Sequence, residues 1–113
     1  PATDYIEEDI DLNIHLIKNV PATFIIRVQG KSMTDIGIND GDLLVVDKSL
    51  NPKNFSTVIA NVHDELVVKN FVKEKDKQFL TSGSKKFEDR ILINEEEYIF
   101  IWGVVTYVIH SVY

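Results

Sequence analysis

From position 23 onward the chain is a succession of short apolar runs broken by turn residues. Thr23-Phe-Ile-Ile-Arg-Val28 is rich in β-branched side chains and stops at Gly30. Leu43-Leu-Val-Val46 follows the turn signal Asn39-Asp-Gly41. It is continuous rather than alternating, which predicts a strand buried on both faces. Thr57–Val62 and Glu65–Val72 flank His63-Asp64, the spacing of a two-residue hairpin. Phe79–Thr81 and Arg90–Ile93 are shorter strand candidates, separated by a polar stretch that includes Ser82-Gly-Ser-Lys-Lys86. The closing tract, Tyr98–Ile109, is long enough for a bent strand, with Gly103 as the natural bend. Ahead of these runs, the acidic opening Pro1–Asp11 lacks periodicity and predicts an extended arm. Asp11 can cap a short helix over Leu12–Lys18 in which Leu12 and Leu16 share a face, and Pro21 ends it. The expectation is a mostly β domain over 21–113, preceded by an arm and one short helix over 1–20.

Composition narrows the function. A chain of 113 residues argues for one domain. At this size a fold buries roughly 65% of its unfolded surface, enough for a core. Apolar residues at 44% and charged residues at 27% belong to an ordered globular domain. No apolar run reaches the roughly 18 residues of a membrane span. Cysteine is absent, which removes disulfides, thiolate nucleophiles and cysteine metal sites. A net charge of −6 argues against a phosphate-gripping surface, so no direct nucleic-acid binding is expected. The first residue is Pro1, and nothing near it resembles a signal peptide. That opening predicts a chain shortened at its N-terminus.

Most candidate chemistry has a plainer explanation. His15, His63 and His110 are scattered singly, so neither a metal site nor a cofactor is expected, and surface placement accounts for His63 and His110. No Gly-x-Ser-x-Gly elbow accompanies a Ser-His-Asp set. Asp40 and Asp42 sit in Asn39-Asp-Gly-Asp42, where carboxylates ordinarily bond to nearby backbone; Asp47 closes the next strand. Glu95-Glu-Glu97, Lys73–Lys77 and Lys85-Lys86 read as solvated surface.

One pair stands apart. Gly30-Lys-Ser-Met33 follows a strand directly, where the glycine lets the chain turn and presents the Ser32 hydroxyl at the strand end. Lys69 lies inside the apolar Leu66-Val-Val-Lys-Asn-Phe-Val72, sharing a face with Val67 and Phe71 by strict alternation. A lone lysine in a strand usually snorkels to water. The other possibility is a Ser-Lys dyad. Serine is a poor nucleophile until a base takes its proton, and a lysine is a base only when desolvation has lowered its pKa.

The segment Gly30-Lys-Ser-Met-Thr-Asp-Ile-Gly-Ile-Asn-Asp-Gly-Asp-Leu-Leu-Val-Val-Asp47, followed by Val68-Lys69, closely resembles the self-cleaving serine peptidases of the SOS response, the LexA and UmuD family. Lys69 lies 37 residues after Ser32, the spacing of the UmuD branch. The arm Asp4–Asn13 and Pro21-Ala-Thr23 are also similar to that branch. The resemblance implies a small, strongly bent β-sheet of the β-clip kind, like the LexA C-terminal domain. It implies Ser32 as nucleophile, Lys69 as general base, and backbone N–H groups of Ser32 and Met33 as the oxyanion hole. It further implies a cytoplasmic homodimer, self-cleavage of the arm upstream of Pro1 under stimulation by a RecA–single-stranded-DNA filament, and assembly with a UmuC-like Y-family polymerase for translesion synthesis. The dimer interface would use the tract around Ile99 to Val108. Family cleavage sites are Ala-Gly or Cys-Gly, and neither dipeptide occurs here. Two positions depart from the UmuD pattern: Phe55-Ser56 replaces Gly-Asp, and Asn70 stands where a second basic residue is common. The alternatives are the self-cleavage and dimerisation domain of a LexA-like or phage-type repressor, and an interaction module in which Ser32 and Lys69 are structural.

Overall fold

A computed structural model describes residues 2–6, 9–30, 36–83 and 89–113. It is an open antiparallel sheet of seven strands in the order β1-β2-β7-β3-β4-β5-β6. The strands are β1 (Thr23–Arg27), β2 (Leu43–Asp47), β3 (Thr57–Val62), β4 (Glu65–Glu74), β5 (Lys77–Thr81), β6 (Ile91–Leu92) and β7 (Ile99–Ile109). Each apolar run identified from patterning is one of these strands, with ends moved by a residue or two. The last short one contracts most, from Arg90–Ile93 to Ile91–Leu92.

The helix α1 spans Leu12–Leu16 and stops before the expected Lys18. Asp11 caps it as anticipated, its carboxylate accepting the Asn13 N–H at 3.0 Å. Ile17 is already extended, so the short apolar face supports little more than one turn. Pro21 lies within a 3-10 turn over Val20–Ala22, and the arm begins with another over Ala2–Tyr5 rather than fully extended chain.

Strand β7 is the spine, paired with β2 on one side and β3 on the other. The three strands bury residues on both faces because successive side chains point opposite ways. Val58 and Ala60 of β3 join Phe71, Leu80, Ile99 and Val104 in one cluster. Ile59, between them, joins Ile38, Leu44 and Val46 in the other. Continuous apolar runs such as Leu43–Val46 are the sequence expression of this two-sided burial.

The long spine cannot stay in simple register with both neighbours. Its pairing shifts between Ile59 and Ala60 of β3, skipping Trp102, and between Val45 and Val46 of β2, skipping Thr106. Such bulges bend a strand and increase its twist. Gly103, expected as the bend, sits beside the first bulge. A Cβ there would lie 2.6 Å from Cγ1 of Val46, a fully buried side chain. Gly103→Ala is therefore expected to destabilise the domain by about 1–3 kcal/mol through overpacking. Thermal unfolding by circular dichroism should record a drop of roughly 4–8 °C per kcal/mol. An unchanged transition would mean that β2 and β7 separate freely at this contact.

Candidate active site

The turn Asn39-Asp-Gly-Asp42 holds the chain that leaves β1. Val28 donates its N–H to the Asp42 carbonyl at 2.8 Å, and Gly41 donates back to the Val28 carbonyl at 2.9 Å. Arg27 Nη1 donates to the Gly41 carbonyl, and Gly30 donates its N–H to Asp40 Oδ1, each at 2.9 Å. Gly30 has φ +99, a conformation that glycine adopts without a Cβ penalty. Asp42 stiffens the turn itself, Oδ2 accepting the Asn39 N–H at 2.8 Å. The expected turn chemistry of Asp40 and Asp42 is thus present, with a second effect: four bonds fix Arg27, Val28 and Gly30, the glycine that precedes residue 31. Beyond residue 35 the chain is anchored again by Ile38, which is 2% exposed. Ser32 and Met33 lie between these anchors and outside the described residues, as does Lys85-Lys86.

Lys69, the other member of the candidate dyad, lies within the described residues. It lies on β4 opposite Val58 of β3, and the neighbouring pair Asn70 with Thr81 of β5 carries Ser82 alongside it. Its stem runs beside the apolar cluster that holds Val58 and Phe71. Its ammonium does not snorkel freely: Nζ donates to Ser82 Oγ at 2.6 Å. Burial holds the Lys69 pKa below the ordinary 10.5, because desolvation penalises the charged form; the carboxylate of Asp89 works in the opposite direction.

A groove of about 320 Å³ joins the two regions. One wall is Ile26, Val28 and Gly30 at the end of β1; the other is Leu66, Val67 and Val68, the residues that lead to Lys69. Both walls are largely apolar, which suits the side chains of a peptide segment. The strand exit that leads to Ser32 and the strand that carries Lys69 therefore face one cleft.

Residues 1–106 match the family model described as Peptidase S24-like. The chain belongs to this family. Among curated relatives of this S24-like chain, Protein ImpA of Salmonella typhimurium is 43% identical over 110 residues, covering 97% of this chain and 74% of the relative. Protein MucA of Escherichia coli is 36% identical over 107 residues, covering 95% and 73%. The LexA repressor of Providencia rettgeri is 36% identical over 110 residues, covering 97% of this chain but only 53% of the repressor. The chain is a UmuD-like SOS-response member of the family, whose activity is that of a self-cleaving serine peptidase.

The two departures of this S24-like chain from the UmuD pattern have local explanations. Phe55 has φ 70, a left-handed backbone that favours glycine, held here by a residue with a bulky, exposed side chain. Its N–H still reaches the Phe71 carbonyl at 2.7 Å. Asn70 is 7% exposed and its Oδ1 accepts the Thr57 hydroxyl at 3.3 Å. A buried amide that pairs across β3 and β4 thus stands in the position of a basic side chain.

His110 is exposed, as expected, but it also has a specific buried partner. Its Nδ1 lies 2.6 Å from Asp42 Oδ1, and Asp42 is 3% exposed. The bond from Asn39, then the one from His110, hold the Asp42 carboxyl below its usual range. The signal was positional: Asp42 immediately precedes β2, His110 immediately follows β7, and Leu43 pairs with Ile109. His63 does occupy the exposed hairpin tip, with φ 50, and His15 lies against Tyr107. Asp47 is spent on Ser49, whose N–H and hydroxyl both donate to Oδ1. Among the described residues no three His, Asp or Glu side chains gather as a metal-ligand set, and no helix is long and apolar enough to cross a membrane.

Proposed function

We propose that Ser32 and Lys69 form the catalytic dyad of this self-cleaving peptidase. The observation that carries the reading is the setting of Lys69: a partly buried amine, held below its ordinary pKa, beside a groove whose other wall leads to Ser32. A scissile segment would lie in that groove, its side chains against the apolar walls. The neutral Lys69 amine takes the proton of the Ser32 hydroxyl as Oγ attacks the scissile carbonyl carbon. The oxyanion is received by backbone N–H groups of Ser32 and Met33, a contribution of about 10²–10³ in rate per donor. Lys69 then returns its proton to the leaving amine as the C–N bond breaks. A water, deprotonated by Lys69, hydrolyses the acyl-enzyme and frees Ser32.

The biological setting of this reading is a cytoplasmic homodimer. A RecA–single-stranded-DNA filament stimulates cleavage of the N-terminal arm, and the product serves a UmuC-like Y-family polymerase in translesion synthesis. Of the tract expected at the dimer interface, Ile99 and Val104 are buried within the sheet; Tyr107, Val108 and Ile109 are the exposed apolar positions. A LexA-type repressor domain is less favoured, since that match spans only about half of the repressor.

Intact mass spectrometry of the precursor, with and without RecA, single-stranded DNA and nucleotide, tests the reading. The expected result is RecA-dependent loss of a short N-terminal piece, absent in Ser32→Ala. Cleavage that persists in Ser32→Ala would assign the nucleophile elsewhere.

A further inference from the structure

We propose that Ser82 is a positioning residue that aims the Lys69 amine at the nucleophile; this rests on the Ser32–Lys69 reading. Ser82 lies in a polar stretch that separates two short strands, and nothing in the local pattern marks it. Sheet register brings it to the site. Asn70 pairs with Thr81, so the residue that follows β5 and the preceding one on β4 are neighbours, and Nζ of Lys69 meets Ser82 Oγ at 2.6 Å.

The hydroxyl is itself held in place. Thr81 is 1% exposed, and its Oγ1 donates to the Gly83 carbonyl at 3.3 Å, closing the chain around Ser82. Gly83 has φ +101, which turns the chain away just after β5. Ser82 is therefore presented by a buried strand end rather than by a free loop.

The chemistry needs such a group. A lysine amine rides on a flexible four-carbon stem, and proton transfer depends on where its lone pair points. An ammonium has three N–H donors; the neutral amine has two and one lone pair. The Ser82 oxygen accepts one N–H in both states. That contact directs the lone pair away from Ser82 and toward the groove, and it favours the ammonium modestly, as a charge-assisted bond does. Among the described residues, Asp89 is a charged neighbour that acts on the same amine, and it too favours the ammonium.

The test uses this chain directly. An alkyl fluorophosphonate reacts with an activated serine: the Oγ–P bond forms, fluoride leaves, and the serine proton passes to the base. Labelling rates are read by intact mass across pH for the parent, Ser82→Ala, Ser82→Thr, Lys69→Ala and Ser32→Ala. Ser82→Ala should lower the alkaline plateau by about 10- to 100-fold, the scale of a misplaced catalytic group. It should also move the midpoint to lower pH, and Ser82→Thr should restore both. Ser82→Ala with the parent's plateau and midpoint, while Lys69→Ala is inert, would overturn the role of Ser82 and leave the dyad standing. A loss of thermal stability with an unmoved midpoint would make Ser82 merely structural. Labelling that survives Lys69→Ala or Ser32→Ala, or a parent that does not label, would remove the dyad and the role of Ser82 with it.

Discussion

Lys69→Ala is expected to abolish self-cleavage of the precursor, a loss of at least about 10²–10⁴-fold, the contribution of a positioned general base. Folding should survive it. The Lys69 stem packs beside an apolar cluster and its amine carries a desolvation penalty, so removing the charge relieves one cost while truncation incurs another. Lys69→Met separates the two effects, because it keeps most of the stem and discards the amine. Both variants should be inactive by intact mass in the presence of the RecA filament. Lys69→Met should unfold at or above the parental temperature in the same buffer. Cleavage at the parental rate in either folded variant would assign the base to another group. Slow cleavage in Lys69→Ala but parental cleavage in Lys69→Met would mean that the stem, not the amine, supports the site.

Much of this arrangement is legible along the chain. The order of apolar runs predicts every strand, and the hairpin at His63-Asp64 is explicit because both residues carry positive φ in a two-residue turn. The continuous rather than alternating run in β2 announces burial on both faces, and Gly103 marks the bend of β7; the two-sided burial of β3 is not marked in the same way. Other features depend on register and so have no local signature. Ser82 meets Lys69 because Asn70 pairs with Thr81; Asp42 meets His110 because Leu43 pairs with Ile109. The aromatic contact is of the same kind: Lys48, just after β2, has its Nζ 4.5 Å from the ring of Trp102 on β7, which lies against Phe24 of β1. A period-two pattern specifies which face a residue takes, but pairing decides what stands opposite. The helix failed at its C-terminal end for a different reason, since so short an apolar stripe has too little to pack against to extend to Lys18.

Cleavage and serine labelling should both accelerate as pH rises, with a slope of about tenfold per pH unit while Lys69 remains mostly protonated. The sign follows from the base: only the neutral amine can accept the Ser32 proton, and its fraction grows with pH. Burial sets where the rise ends. It lowers the Lys69 pKa from 10.5, so the profile should flatten below that pH rather than continue through it. Asp89 opposes the shift by favouring the ammonium, and Asp89→Asn should therefore move the break to still lower pH and raise the rate near neutrality. Stability should follow the same titration. Between the folded and unfolded pKa of this lysine the unfolded chain binds more protons, so the parent gains stability with rising pH in that window relative to Lys69→Met. A rate that is flat from neutral to strongly alkaline pH, in a protein that stays folded, would mean that the base is already neutral or is not Lys69. A rise that continues past 10.5 would mean that the amine is not desolvated in the reacting state. Both of those outcomes would separate the burial of Lys69 from its chemistry, whereas a break below 10.5 that shifts with Asp89→Asn would tie the two together at one nitrogen.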